Sequence, residues 1–261
     1  MIRSGERVLI LLDDEETSYI AEVVEGGVLT THYGNLVLSS LVGKAYGSSI
    51  SLGFKKAYLL KPSIVDGIFS LKRSTQIVYP KDIAFITLYL DIKEGDTVYE
   101  AGTGTGVMTS IFSRLVGSCG KVVTYEKRKE FVERARKNVE LLGNVERVVF
   151  VADDIANCRD TQVADVFFLD VPETLSVIKE VVMTLKGGGR ICVLCPTTNQ
   201  VQETISLLEE MNIVSIQMWE TMVRSYKTNP ERLRPEDRMI GHTAYMVFGI
   251  KVEGRNNREK K

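Results

Sequence analysis

From Tyr79 onward the chain alternates short apolar, strand-like runs with amphipathic helical segments, and that alternation leaves few folds open. Helical residues 81–90 precede a strand at 97–100, helix 107–116 precedes strand 121–125, and helix 129–142 precedes strand 148–151. A strand at 164–169, helix 173–185, strand 190–194 and helix 200–211 follow, then strands at 213–219 and 244–251. Strands joined through helices lie parallel, with helices on both faces of the sheet. The last two strands are joined instead by a charged, proline-marked connection, which predicts an antiparallel final pair. The expectation is an α/β fold with a doubly wound, seven-stranded, Rossmann-like sheet.

Residues 1–70 have a different texture. Short β-rich runs at 7–12, 19–24, 35–38, 49–52 and 57–60 are separated by glycine and polar turns. A small β-rich N-terminal domain is expected there, followed by the α/β domain over residues 71–251 and a polar tail at 252–261. The apolar run Val8 to Leu12, flanked by Arg7 and by Asp13-Asp14-Glu15-Glu16, is too short for a signal peptide or a bilayer span, so a cytoplasmic location is expected.

A formal charge of −1 on 261 residues gives no global reason to suspect a polyanionic partner. Local basic patches remain: Lys55, Lys56 and Lys61; Lys72 and Arg73; and Arg224, Lys227, Arg232, Arg234 and Arg238, which face Glu231, Glu236 and Asp237 in the same stretch. Each could equally be a solvated face. Cys192 and Cys195 have CxxC spacing, but residues three apart on a strand point to opposite faces, so they read as buried thiols and no metal is expected. His32 and His242 have no metal-ligand partner at suitable spacing and read as structural.

The strongest local signal is Glu100-Ala-Gly102-Thr103-Gly104-Thr105-Gly106-Val107, between a strand and a helix. Glycines there let the backbone turn sharply and approach a ligand that a Cβ would strike. A dinucleotide fingerprint would need glycine where Val107 stands, which argues against an NAD-linked dehydrogenase. Glu126 follows the next strand, where a carboxylate can accept from two ribose hydroxyls. Asp153 and Asp154 follow the strand after that, suited to an adenine amino group. Asp170 follows strand 164–169, at the end of an open sheet where ligands bind, although an aspartate there could also cap a helix.

These residues resemble the first motifs of class I methyltransferases. Together with Lys72-Arg-Ser-Thr75-Gln76-Ile-Val-Tyr79-Pro-Lys-Asp82, Cys195-Pro-Thr-Thr-Asn199, Trp219-Glu-Thr-Met-Val-Arg224 and the segment from Glu231 to His242, the sequence resembles the tRNA adenine-58 N1-methyltransferase family over nearly its whole length. The resemblance implies S-adenosyl-L-methionine as cofactor, held by Gln76, Gly102, Thr103, Gly104, Thr105, Gly106, Val107, Glu126, Phe131, Asp153, Asp154 and Asp170. It implies Asp170 as the catalytic carboxylate. Tyr79, from the phrase it sits in, is the candidate aromatic platform for the base. It further implies methylation of the T-loop adenosine of tRNA and a homotetramer whose N-terminal domain guides tRNA. The motif has Thr105 where serine is common, which retains the hydroxyl, and Phe131 where some relatives carry a polar residue. Two rival readings are disfavoured by the same residues. A small-molecule or protein methyltransferase has no clear use for the N-terminal domain or the Arg224 to Arg238 stretch. A non-catalytic RNA-binding subunit is opposed by Gly102, Gly104, Gly106, Glu126 and Asp170.

Overall fold

A computed structural model describes residues 1–71 and 76–254. The chain divides by its contacts into two units, Met1–Lys72 and Arg73–Lys261.

In the first unit, β1 (Arg7–Leu12) buries Val8, Ile10 and Leu12 and turns the intervening residues outward, as the two-residue period of a strand requires. It pairs antiparallel with β2 (Ser18–Glu22). β3 (Val28–Thr31) and β4 (Gly34–Val37) form a separate hairpin, and β5 (Ser49–Leu52) joins β6 (Lys55–Leu60) in a four-stranded sheet of order β2-β1-β6-β5. A short helix, α1 (Ile64–Ser70), is started by a capping box: the Asp66 N–H donates to Ser63 Oγ and the Ser63 N–H donates to Asp66 Oδ2. The sequence reading contains neither β3 nor α1. β3 has four residues and no fully buried side chain, and α1 is too short to show a period.

In the second unit, α2 (Pro80–Leu90) leads to β7 (Thr97–Ala101), α3 (Val107–Leu115), β8 (Lys121–Tyr125), α4 (Lys129–Leu142), β9 (Val148–Val151) and β10 (Ala164–Leu169). There follow α5 (Thr174–Thr184), β11 (Leu185–Cys195), α6 (Thr198–Glu210), β12 (Ile213–Trp219), a ribbon of β13 (Tyr226–Lys227) with β14 (Arg234–Pro235), and β15 (Tyr245–Lys251). The seven-stranded sheet has the order β12-β15-β11-β10-β7-β8-β9. β7 to β11 run parallel to one another, and β15 inserts antiparallel between β11 and β12, the final arrangement expected from the missing helix. The chain builds outward from β7 through β8 to β9, then returns to the other side of β7 with β10. This makes the gap between β7 and β10 the topological switch point, where open α/β sheets bind ligands.

Covered on both faces, β10 is apolar from Val166 to Leu169, with Phe167 and Phe168 fully buried and Phe168 edge-on to Phe112 of α3 at 5.6 Å. Each such side chain contributes about 1.5–3 kcal/mol relative to exposure. The polar tail and the residues Lys72, Arg73 and Thr75 lie, wholly or for its last seven positions, outside the described residues. Among the described residues no helix is long and apolar enough to cross a membrane.

Candidate active site

Strand register brings the site together. Leu169 pairs with Ala101, Ala101 with Tyr125, and Tyr125 with Val151, so the residues that follow these four leave the sheet along one edge. Gly102, Glu126 and Asp170 are therefore neighbours because their strands end level. Gly102 adopts φ +94°, and a Cβ on it would lie 1.9 Å from the Asp170 carbonyl oxygen. The Asp170 N–H donates to Ala101 O at 2.9 Å, while the N–H groups of Gly102 and Thr103 both point to Tyr125 O, at 3.0 and 3.3 Å. Gly106, at φ +78°, starts α3 and has room for no Cβ beyond a tight 3.0 Å contact with Ala135 O of α4. Val107 is the first residue of that helix.

A cavity of about 280 Å³ opens at this edge, lined by Gly102, Glu126, Asp153, Asp154, Asp170 and Glu173 among others. Glu126 is buried. Its Oε2 accepts from the Gly104 N–H at 3.2 Å, and its Oε1 accepts from the Arg128 N–H at 3.2 Å and from Arg128 Nε at 2.9 Å. Both oxygens are oriented, and each retains lone-pair capacity for a further donor. The Arg128 guanidinium lies 3.7 Å from the centre of the Phe131 ring, so Arg128 lines the cavity and Phe131 supports it from outside.

Asp153 and Asp154 are both tied to their own loop. Asp153 Oδ1 accepts from the Asp154 N–H and from Asn157 Nδ2, at 2.7 and 2.8 Å. Asp154 Oδ1 accepts from the Ala156 N–H at 2.9 Å, and its Oδ2 pairs with Lys127 Nζ at 2.9 Å. Burial opposes the charged form of Asp154, but the Ala156 N–H and the Lys127 ammonium outweigh it and hold the carboxyl below its usual range. Lys127 also reaches Glu173 at 3.5 Å, bridging the loops that follow β9 and β10.

A smaller cavity, about 30 Å³, lies behind the glycine loop between Gln76, Glu100, Gly104, Thr105, Val107 and Asp170. Glu100 is 1% exposed. Its Oε2 accepts from Thr109 Oγ1 at 2.5 Å, and its Oε1 has no hydrogen-bond partner among the described residues. Burial pushes this carboxyl up to about 8, against the pull of the Thr109 and Thr124 hydroxyls. Asp170 is exposed to the open cleft, and the partial loss of hydration from the protein around it pushes its carboxyl up to about 6.

Other residues singled out in the sequence fall as follows. Thr103 Oγ1 meets Thr124 Oγ1 at 2.6 Å, and Thr105 O accepts from Asn138 Nδ2 at 2.8 Å, so both fix the loop. Tyr79 caps α2 through its carbonyl, which accepts from the N–H groups of Asp82 and Ile83 at 2.9 Å, and it lines neither cavity. Cys192 and Cys195 are buried free thiols, both pushed up by burial. Among the described residues no group of three or more His, Cys, Asp or Glu side chains could hold a metal ion. Sequence reasoning left out Glu100, Lys127, Arg128 and Glu173. Glu100 opens the glycine motif and could have been found there, whereas nothing in the sequence says that Lys127 and Arg128 turn toward the cavity.

Residues 55–246 match the family model described as the tRNA methyltransferase complex GCD14 subunit. The tRNA (adenine(57)-N(1)/adenine(58)-N(1))-methyltransferase TrmI of Methanocaldococcus jannaschii is 33% identical over 231 residues, covering 78% of this chain and 82% of that protein. The tRNA (adenine(58)-N(1))-methyltransferase TrmI of Thermus thermophilus is 28% identical, covering 92% of this chain and 94% of the other. A crystal structure from Thermotoga maritima, described as a SAM-dependent O-methyltransferase, superposes with a TM-score of 0.91 at 45% identity, over 98% of this chain and 96% of that one. The TrmI tRNA methyltransferase of Aquifex aeolicus superposes with a TM-score of 0.83 at 32% identity, over 97% and 99%. With a family model matched across most of its length and the switch-point geometry to go with it, this chain belongs to the GCD14 family of tRNA methyltransferases.

Proposed function

We propose that this protein transfers a methyl group from S-adenosyl-L-methionine to N1 of adenosine 58 in the T-loop of tRNA. The observation that carries the reading is the pairing of the Gly102 loop with Asp170 at the switch point, within a family of tRNA methyltransferases.

The residues fit the cofactor. Gly102 lets the loop close against the Asp170 backbone at the edge of the cavity, Glu126 offers oriented carboxylate oxygens to a ribose, and Glu100 Oε1 is a buried acceptor without a donor among the described residues beside the glycine loop. Asp153 and Asp154 flank the adenine end of the cavity, and Arg128, braced on Phe131, holds Glu126 in place. When bound, the cofactor supplies an electrophilic methyl group on a sulfonium.

Adenine N1 carries an in-plane lone pair at neutral pH, so no proton need be removed from N1 before transfer. The protein's contribution is to position the base and stabilise charge. Alkylation turns the ring cationic, and Asp170, accepting from the N6 amino group, interacts more strongly as that charge develops. N1 lies on the Watson–Crick edge, so the base must be unpaired and turned into the pocket. Tyr79, three residues beyond Gln76, is the side chain assigned to stack on it.

The half-exposed cluster of Phe85, Tyr89 and Trp219, with Tyr89 5.7 Å from Trp219, supports self-association, and a homotetramer in the cytoplasm is proposed. Light scattering at about four times the chain mass tests the oligomer.

The reaction is tested by methyl transfer from labelled cofactor to unmodified tRNA, with nucleoside mapping and a tRNA in which adenosine 58 is replaced by guanosine. Label in N1-methyladenosine that vanishes in the replacement tRNA is the expected result. The Thermotoga relative favours one other reading, O-methyl transfer. Label recovered in a ribose 2′-O-methyl or a small-molecule methyl ether would support that reading and sink N1 transfer.

A further inference from the structure

The segment between β12 and β15 leaves and rejoins the sheet through a neck made by residues 220–221 and 242–243. His242 Nδ1 meets Glu220 Oε1 at 2.6 Å, and His242 Nε2 lies 3.2 Å from Pro196 O, in the turn after β11. The next pair, Thr221 and Thr243, is bound to the first turn of α2. Thr243 Oγ1 donates to Asp82 Oδ2 at 2.7 Å, and Thr221 Oγ1 donates to Asp82 Oδ1. Lys81 Nζ donates to Asp82 Oδ1 at 2.8 Å, to Thr243 Oγ1 at 2.7 Å and to Thr221 O at 2.9 Å. The two ionic side chains are 10% and 3% exposed, and their partners in the neck lie 139 to 162 positions away in sequence.

A buried ion pair is a poor source of stability compared with apolar residues of the same volume, but its hydrogen bonds tolerate only one geometry. What this pair holds together is informative. On one side, Gln76, Ile77 and Val78, just ahead of α2, line the small cavity with Glu100 and Asp170. On the other, the neck opens into residues 222–241, which carry Arg224, Lys227, Arg232, Arg234 and Arg238.

We infer that Lys81 and Asp82 are positioning residues that clamp the neck of the basic 222–241 arm to the segment that walls the small cavity beside Asp170, so that an RNA held by the arm presents its base to Asp170 in a fixed register. The inference rests on the tRNA reading given above.

The test uses the full chain with Thr221→Val and Thr243→Val together, which leaves Lys81 and Asp82 in place and removes only the hydroxyls of the neck. Melting by circular dichroism checks that the variant is folded, and calorimetry measures its affinity for S-adenosyl-L-methionine. The expected result is unchanged cofactor affinity, a KM for tRNA raised about tenfold, as for the loss of two buried hydrogen bonds, and faster amide hydrogen exchange confined to 222–241. Thr221→Ser with Thr243→Ser should restore both the KM and the slow exchange. Unchanged KM and exchange would overturn the clamp, as would loss of cofactor affinity in parallel with exchange throughout the sheet. Hydrogen exchange requires no RNA, so if the wild-type protein fails to methylate tRNA, the RNA role falls with that reading while the exchange result still decides whether the clamp exists.

Discussion

The carbonyl oxygen of Asp170 stands 1.9 Å from the place a Cβ on Gly102 would take, so the glycine loop and the strand end bearing Asp170 form one packed unit. Neither can move without the other. Gly102→Ala is expected to fail twice, because its φ of +94° disfavours any L side chain and because the new methyl group displaces Asp170. The backbone strain alone is about 1–3 kcal/mol. Cofactor affinity measured by calorimetry should fall at least about tenfold and the melting temperature should drop by several degrees. An alanine variant with wild-type affinity and melting would contradict the close approach.

Asp170 is pushed up to about 6 by loss of hydration, and its proposed role needs the carboxylate. Below that value the group is protonated and can no longer accept from the N6 amino group. kcat/KM for tRNA should therefore rise with pH through about 6 and then level. Asp170→Asn should lower kcat by about 10²–10³, the scale of a lost transition-state hydrogen bond, and remove that inflection. An asparagine variant that keeps the inflection would assign it to another group.

Glu100 makes a second pH-dependent contribution, of a different kind. Its carboxyl is pushed from the usual 4.5 up to about 8 by burial, so in this range the folded chain holds a proton that the unfolded chain gives up. The associated stability is fully present below about 4.5 and is lost as pH rises through about 8. This contribution to the wild-type melting temperature should thus fall between about pH 5 and 8. Glu100→Gln, which is neutral at every pH, should melt with a flatter profile over that interval; parallel profiles for the two proteins would show that Glu100 is not the group responsible.

The parts of this architecture that were legible in the sequence are those with a clear apolar run or stripe. β8, β9, β10 and β12 and the helix α4 occupy the residues expected of them, because each strand is a mostly apolar run bounded by polar or turn residues and α4 has one long buried stripe. β11 starts at Leu185 rather than at 190, since Gly187, Gly188 and Gly189 look like a break yet continue the strand. The ribbon of β13 and β14 has two residues on each side, too few for any period. In the site, Glu126 and Asp170 could be found because a carboxylate directly after an apolar strand has one place to go. Glu100 lies within β7, where a buried acid has no periodic signature, and the bridge from Lys127 to Asp154 and Glu173 depends on three loops meeting in space. The clamp formed by Lys81, Asp82, Thr221 and Thr243 was hidden for the same reason, as its two halves are more than a hundred residues apart.

That clamp makes an asymmetric prediction about stability. Lys81→Met removes the one cation bound to Asp82 among the described residues and leaves a buried carboxylate whose side-chain donors there are the Thr221 and Thr243 hydroxyls. Breaking one partner of a buried pair costs about 3–5 kcal/mol, whereas replacing both by apolar groups is often neutral or stabilising. In a chain of this size 1 kcal/mol moves the melting temperature by about 2–4 °C, so Lys81→Met should melt roughly 6–20 °C below wild type. Lys81→Met combined with Asp82→Leu should recover much of that loss, because no ion is left unpaired, although the two threonine hydroxyls lose their acceptor. The recovered protein should still be impaired toward tRNA, since apolar contacts restore the packing without the directional bonds that fix the neck. Additive losses in the double variant, with no recovery, would mean that the pair contributes as two independent surface-like interactions and that its burial has no energetic consequence.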